Sequence, residues 1–178
     1  VLASSRHAEL MSLACKNAVV ERDVAHLIFP DDMQTLPSDK PAAKPQGRLG
    51  RRDIRPSEAD LAAVRDMLAK AKRPIIVMGH GALEARARIV ALAEALGAPV
   101  LTTFKAKGLI SDTHPNAAGV LGRSGTPIAS WFMNEADLIL ALGSSFSNHT
   151  GIEPSKPIIQ VDFERMQLGK FHPVALPI

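Results

Sequence analysis

The run Pro74-Ile75-Ile76-Val77-Met78-Gly79-His80-Gly81 decides the fold, because four unbroken apolar residues of strand length end on a glycine turn. A strand that is apolar at every position is buried on both faces, which is the habit of parallel sheets. Downstream, Ile89, Leu92, Ala93 and Leu96 share one helical face, Gly97 stops that helix, and Pro99-Val100-Leu101-Thr102 opens another strand. The three pieces make a βαβ unit.

Toward the C-terminus the alternation repeats. A Gly-rich segment from Gly119 to Gly125 precedes a helix with Thr126 as cap and Pro127 at its first position, then the buried-type strand Leu138-Ile139-Leu140-Ala141-Leu142. Ile158-Ile159-Gln160-Val161 supplies a further strand. Toward the N-terminus, Ser57-Glu58-Ala59-Asp60 is a capping-box pattern, and Leu61, Val64, Leu68 and Ala71 continue at helical spacing, which predicts a helix ending near Ala71. Continuous apolar strands separated by helices predict an α/β fold over residues 57–178: a doubly wound, mostly parallel, Rossmann-like sheet flanked by helices.

Before residue 57 the composition changes. Pro30, Pro37, Pro41, Pro45 and Pro56 stand among Gly47, Gly50, Arg48, Arg51, Arg52 and Arg55. Prolines at that density block helix and ladder alike, so residues 37–56 read as a linker whose arginines either face solvent or grip a phosphate. Further upstream, Leu10, Leu13, Ala14 and Ala18 predict a helix within 4–22, and Val24-Ala25-His26-Leu27-Ile28-Phe29 reads as a short strand. One helix and one strand do not make a domain.

The bulk numbers set the bounds. A length of 178 residues is one full domain plus a fragment of another. With 46% hydrophobic and 22% charged residues the chain is neither disordered nor membrane-embedded, and no apolar run approaches the ~18 residues that span a bilayer. The charge of +3 comes from 21 Lys and Arg scattered against 18 Asp and Glu, which argues against a nucleic-acid partner. The lone Cys15 excludes an internal disulfide and a cysteine-cluster zinc site, and fits a reducing, cytoplasmic setting. The chain begins at Val1 without a signal-peptide pattern, which reads as a beginning inside a longer protein.

In a doubly wound sheet, ligands bind outside the carboxyl ends of the strands, so Gly79 to Gly81, Thr102 to Lys107, Gly143 to Ser147 and Asp162 are the residues to weigh. Gly79-His80-Gly81 either lets the backbone approach a pyrophosphate at a helix N-terminus or serves only a tight turn. The dinucleotide fingerprint fails, since Glu84 holds the third glycine position and no acidic residue ends the second strand, which disfavours an NAD dehydrogenase. Thr102, Thr103, Lys105 and Lys107 suit a diphosphate or a solvated loop. Asp162 either accepts from a ribose diol or caps the turn after it. Gly122-Arg123-Ser124-Gly125-Thr126 and Gly143-Ser144-Ser145-Phe146-Ser147 both miss the final glycine of a nucleophile elbow, which disfavours a serine hydrolase, and no catalytic residue is named. The six histidines lack metal-ligand spacing; only His80 and His149 adjoin candidate ligand loops.

Several segments in order carry a resemblance: Arg73-Pro74-Ile75-Ile76-Val77-Met78-Gly79-His80-Gly81, Leu96-Gly97-Ala98-Pro99-Val100-Leu101-Thr102-Thr103 with Lys105, Lys107 and Gly108, and His114-Pro115. Gly119-Val120-Leu121-Gly122, Glu135-Ala136-Asp137 running into Leu138 to Gly143, and Ile159-Gln160-Val161-Asp162 complete the set. Together they resemble the central domain of thiamine-diphosphate-dependent enzymes of the acetolactate synthase, pyruvate oxidase and benzoylformate decarboxylase superfamily. Residues 1–36, through Val24 to Gln34, look like the C-terminal tail of that family's pyrimidine-binding domain.

The resemblance implies a parent enzyme acting on a 2-oxo acid, with thiamine diphosphate and magnesium held outside this segment. It also implies pyrimidine- and pyrophosphate-binding domains on the same chain, and a homodimer or homotetramer. In such enzymes the central domain binds FAD, ADP, the ADP part of coenzyme A, or nothing. Carried over, the nucleotide contacts fall on Gly79, Gly81, Thr103, Phe104, Gly143, Ser144 and Asp162, with no metal ligand. The family's frequent arginine is Ser145 here. Two other readings remain open: an NAD-using domain of the sirtuin type, which the single cysteine disfavours, and a pure assembly module.

Overall fold

The computed structural model describes residues 1–2, 6–38, 41, 44–50, 54–147 and 149–178. They divide into two units, Val1–Ile54 and Arg55–Ile178. Arg51 and Arg52 of the linker, and Ser4 and Ser5 at the head of the first helix, lie outside the described residues.

In the first unit, α1 spans His7–Glu21 and α2 Asp31–Gln34. Neither helix buries a residue; Leu13 is 62% and Val19 60% exposed. The strand expected at Val24–Phe29 is absent: these residues are irregular, with Val24 86% exposed. A strand exists only against a ladder partner, and the described residues of this unit offer none. What the unit does form is an apolar groove of about 610 Å³ lined by Met11, Cys15, Val19, Phe29, Pro45 and Leu49.

The second unit begins with α3, Glu58–Lys70. Its capping box is complete, since the Asp60 amide donates to Ser57 Oγ at 3.1 Å and the Ser57 amide donates to Asp60 Oδ2 at 3.2 Å. The Lys72 and Arg73 amides then donate to the Asp137 carboxylate at 2.7 and 2.9 Å, joining the entrances of two neighbouring strands. These strands are β1, Pro74–Met78, and β4, Leu138–Leu142. With β2 (Val100–Thr102), β3 (Ala117–Val120), β5 (Ile158–Val161) and β6 (Leu176–Pro177) they make one sheet in the order β3-β2-β1-β4-β5-β6, parallel throughout. This is the doubly wound order, so the expected fold class holds.

The period of two along each strand sorts the core into two layers. Ile75, Val77, Leu101, Ile139, Ala141 and Ile158 face α5 (Pro127–Glu135), which contributes Ala129 and Met133. Ile76, Met78, Val100, Leu138, Leu140 and Ile159 face the other way, where α3 brings Val64 and Leu68 and α4 (Arg86–Leu96) brings Ile89 and Ala93. Because each face is covered, every position of the strand needs an apolar residue, and each fully buried Ile or Val contributes ~1.5–3 kcal/mol.

One local expectation changes, and two details are added to it. Gly79-His80-Gly81 does not open an α-helix directly: a 3-10 turn over His80–Ala85 intervenes, and α4 starts only at Arg86. The short edge strands β3 and β6 had no sequence signal. Thr126 does occupy the cap of α5 and Pro127 its first turn, yet the Thr126 hydroxyl makes no capping bond.

Candidate functional site

The order β2-β1-β4-β5 lines up the carboxyl ends of four strands, and the loops leaving them enclose a cleft of about 440 Å³. Gly81, Thr103, Phe104, Gly143, Ser144 and Asp162 all line it; of the seven expected site residues only Gly79 does not. His80 and Lys105 join them from the β1 and β2 loops, and Ser145, Ser147, His149 and Thr150 from the loop after β4. His114, in contrast, is paired with Glu94 at 3.2 Å, and His7 with Ser38 at 2.8 Å.

The glycines serve close approach of backbone to backbone. A Cβ on Gly79 would lie 2.0 Å from the Gly143 carbonyl oxygen, and one on Gly143 would lie 2.3 Å from the Ala82 nitrogen. Gly143 also has φ +62°, the left-handed region that glycine enters without steric cost. The amides in this corner are already engaged: Gly79 donates to Leu142 O at 2.9 Å, Gly81 to Gly143 O at 3.0 Å, and Gly143 to Val161 O at 2.9 Å. The first turn therefore knits β1 to β4.

The β2 loop is narrower in chemistry than its sequence. The Thr102 side chain is 4% exposed and turned to the Gly119 carbonyl, and Lys107 pairs with both oxygens of Asp112. Thr103 and Lys105 are what remain for the cleft. The Phe104 ring, 53% exposed overall, packs on Gly122, where an added Cβ would meet Cε2 at 2.7 Å.

The loop after β4 is pinned by Phe146, which is 1% exposed and buried in the α5-side core despite φ +51°. A side chain in the left-handed region costs about 1–2 kcal/mol, which the aromatic burial offsets. Asp162 is not the cap of the 3-10 turn Arg165–Gln167; Glu164 fills that role, and Asp162 Oδ1 accepts from the Glu164 amide at 2.9 Å.

Sequence reading missed Gln160. It sits in mid-strand at 0% exposure, with Nε2 donating to Ser144 O at 3.2 Å and Gln167 O at 3.0 Å, while Oε1 accepts from the Gly169 amide at 2.8 Å. An amide inside an otherwise apolar strand is the signal that could have found it, because a buried polar group demands partners. The only carboxylate lining the cleft is Asp162, and no group of three or more metal-ligating side chains occurs among the described residues. Nor is any helix among them long and apolar enough to cross a membrane.

Comparison with known proteins matches residues 61–178 to the family described as thiamine pyrophosphate enzyme, central domain. The Bacillus subtilis (strain 168) protein YdaP, named as a thiamine pyrophosphate-containing protein, is 31% identical over 168 residues, covering 93% of this chain and 29% of that protein. The acetolactate synthase isozyme 1 large subunit of Escherichia coli (strain K12) is 31% identical over 156 residues, 85% of this chain and 26% of the relative. Acetolactate synthase of Mycobacterium avium is 31% identical over 150 residues, 80% and 22% respectively. The chain thus spans less than a third of the length of these relatives. With the doubly wound sheet and the matched residues covering the same part of the sequence, this chain belongs to the thiamine pyrophosphate enzymes and carries their central domain.

Proposed function

We propose that residues 57–178 are a non-catalytic central domain that binds an adenine nucleotide in the cleft, within a larger thiamine-diphosphate-dependent carboligase, decarboxylase or oxidase of 2-oxo acids. Residues 1–36 are the tail of its pyrimidine-binding domain and 37–56 the linker. The parent works in the cytoplasm as a homodimer or homotetramer, with thiamine diphosphate and magnesium held by its pyrimidine- and pyrophosphate-binding domains. One carboxylate and no metal-ligating cluster make a poor magnesium diphosphate site, so no catalytic step is assigned to the described residues.

The observation that carries the nucleotide reading is the polarity of the cleft. Lys105 and Thr103 lie at its β2 end, and Asp162 at its β5 end. Its volume of about 440 Å³ falls in the ~300–1,000 Å³ range of small-molecule sites. An ammonium group and a hydroxyl suit phosphates; a carboxylate suits ribose hydroxyls. FAD, ADP and the ADP part of coenzyme A share these groups.

Isothermal titration calorimetry of the 178-residue chain against FAD, ADP, coenzyme A and NAD tests this. Micromolar binding of FAD or ADP that Lys105→Glu abolishes is the expected result. Binding of none of the four overturns it and leaves the domain a structural spacer.

A further inference from the structure

Two walls of the cleft come from different strands, the loop after β4 with Ser144 and Ser145 and the turn after β5 with Asp162 and Gln167, and one buried side chain grips both. Gln160, at 0% exposure in β5, donates from Nε2 to Ser144 O at 3.2 Å and to Gln167 O at 3.0 Å, while its Oε1 accepts from the Gly169 amide at 2.8 Å. The two donated bonds use both protons of the side-chain amide. The side-chain oxygens of the gripped residues add nothing of their own: Ser144 Oγ and Gln167 Oε1 are buried without a hydrogen-bond partner among the described residues. Within the turn, the Met166 amide donates to the Glu164 carboxylate, Gln167 to Glu164 O, Leu168 to Arg165 O and Lys170 to Gln167 O. Those bonds close inside the turn and do not reach the sheet. Gln160 ties residues 167–169 to the sheet and to the β4 loop at once.

We propose that Gln160 is the positioning residue of the cleft: it touches no ligand, and it sets the β5 wall against the β4 wall so that ligand binding depends on it. The proposal rests on the reading of the cleft as a nucleotide site. Gln160 itself does not line the cleft. A site works only where the groups that meet the ligand are held to within about 0.5 Å by hydrogen bonds behind them. Bonds that close inside a turn fix its shape, whereas a side chain bonded to three backbone groups on two segments fixes its place. Burial alone favours hydrocarbon at this position, as at Ile158 and Ile159 beside it. An aliphatic residue there would extend the apolar run of β5 and release all three backbone groups, and a buried carbonyl left without its donor is costly. The grip on two loops is what an amide supplies in that run and an aliphatic side chain does not.

The test is hydrogen exchange of the full chain read at single amides, together with calorimetry against ADP and FAD. Gly169 does not line the cleft, yet its amide is bonded to Gln160, so saturating ADP is expected to slow its exchange about tenfold in wild type. Gln160→Met matches the side chain in length and carries no amide. In it the Gly169 amide is expected to exchange about tenfold or more faster, and ADP to bind about tenfold weaker, the scale of one lost hydrogen bond. The Ile76 and Ile139 amides, bonded to Pro99 O and Pro157 O in the middle of the sheet, are expected to change less than Gly169. Wild-type affinity for ADP in Gln160→Met, or equal acceleration at all three amides, overturns the positioning role while leaving the nucleotide site standing. So does a Gly169 amide in wild type that bound ADP leaves unmoved, and this measurement decides even if Gln160→Met fails to fold. Binding of neither ADP nor FAD by wild type overturns both.

Discussion

The two units of this chain hold apolar side chains of similar kind and use them in opposite ways. In residues 55–178, Ile76, Val77, Met78, Val100, Leu101, Ile139 and Ile158 are all at 0% exposure. In residues 1–54 not one described residue is buried, although Leu10, Met11, Leu13, Val19, Val24 and Ile28 are apolar. Hydrophobic residues make a core only where a second layer covers them. The later unit has helices on both faces of a sheet; the earlier one has, among its described residues, one 15-residue helix, a 4-residue turn of helix and no sheet for them to cover.

Cutting the chain at the boundary is the strongest way to break this comparison. A peptide of residues 1–54 is expected to lose essentially all helical signal by circular dichroism, because an isolated helix of about 12–15 residues is marginal in water. Residues 55–178 alone are expected to melt cooperatively within a few degrees of the intact chain. A stable 1–54 peptide, or a collapsed 55–178 fragment, would reverse the assignment of where the stability lies.

Single truncations sharpen the same contrast. Ile139→Ala, at a fully buried position, is expected to destabilise by about 2–5 kcal/mol in denaturant unfolding. Leu13→Ala, at 62% exposure, is expected to stay within about 0.5 kcal/mol. Comparable losses at both sites would mean that α1 is packed as tightly as the sheet.

An effect smaller than that of the core truncation concerns the bracket at the strand entrances. Desolvation, the largest influence on Asp137, raises its pKa, but the Lys72 and Arg73 amides, its own amide and the Arg73 charge together hold it below the ordinary carboxylate value. A depressed folded pKa stabilises the fold above the unfolded value of about 3.9, and the benefit is lost as pH falls through the folded value. Asp137→Ala is expected to cost about 1 kcal/mol at pH 6, with the gap to wild type closing toward pH 2. A pH-independent gap would show that packing, not charge, sets the effect.

Legibility followed the same division. Strands β1, β2, β4 and β5 were plain in the sequence because two covered faces force an apolar run, and the loops leaving them were therefore plain as a site. Ala117-Ala118-Gly119-Val120 was not legible as β3, since two alanines and a glycine carry little apolar area, and Leu176-Pro177 is only two residues long. Val24–Phe29 misled because its residues suit a strand while its surroundings supply no partner. At the site, the residue types in Gly79-His80-Gly81 left open whether the glycines served a phosphate or a turn; engaged amides and clashing Cβ positions are properties of two loops together. The orphaned Ser144 and Gln167 atoms were invisible for the same reason, because satisfaction depends on neighbours that sequence spacing does not name.

Phe146 gives one position in this chain unusually little freedom to vary. Glycine or asparagine there would ease the left-handed backbone but empty the space under α5, whereas a bulky aliphatic residue would fill the space and worsen the backbone. Each route improves one requirement by giving up the other, so drift at this site passes through a less stable protein in either direction. The exposed serines on either side, Ser145 and Ser147, are thereby free to change contacts in the cleft while the loop that carries them keeps its course.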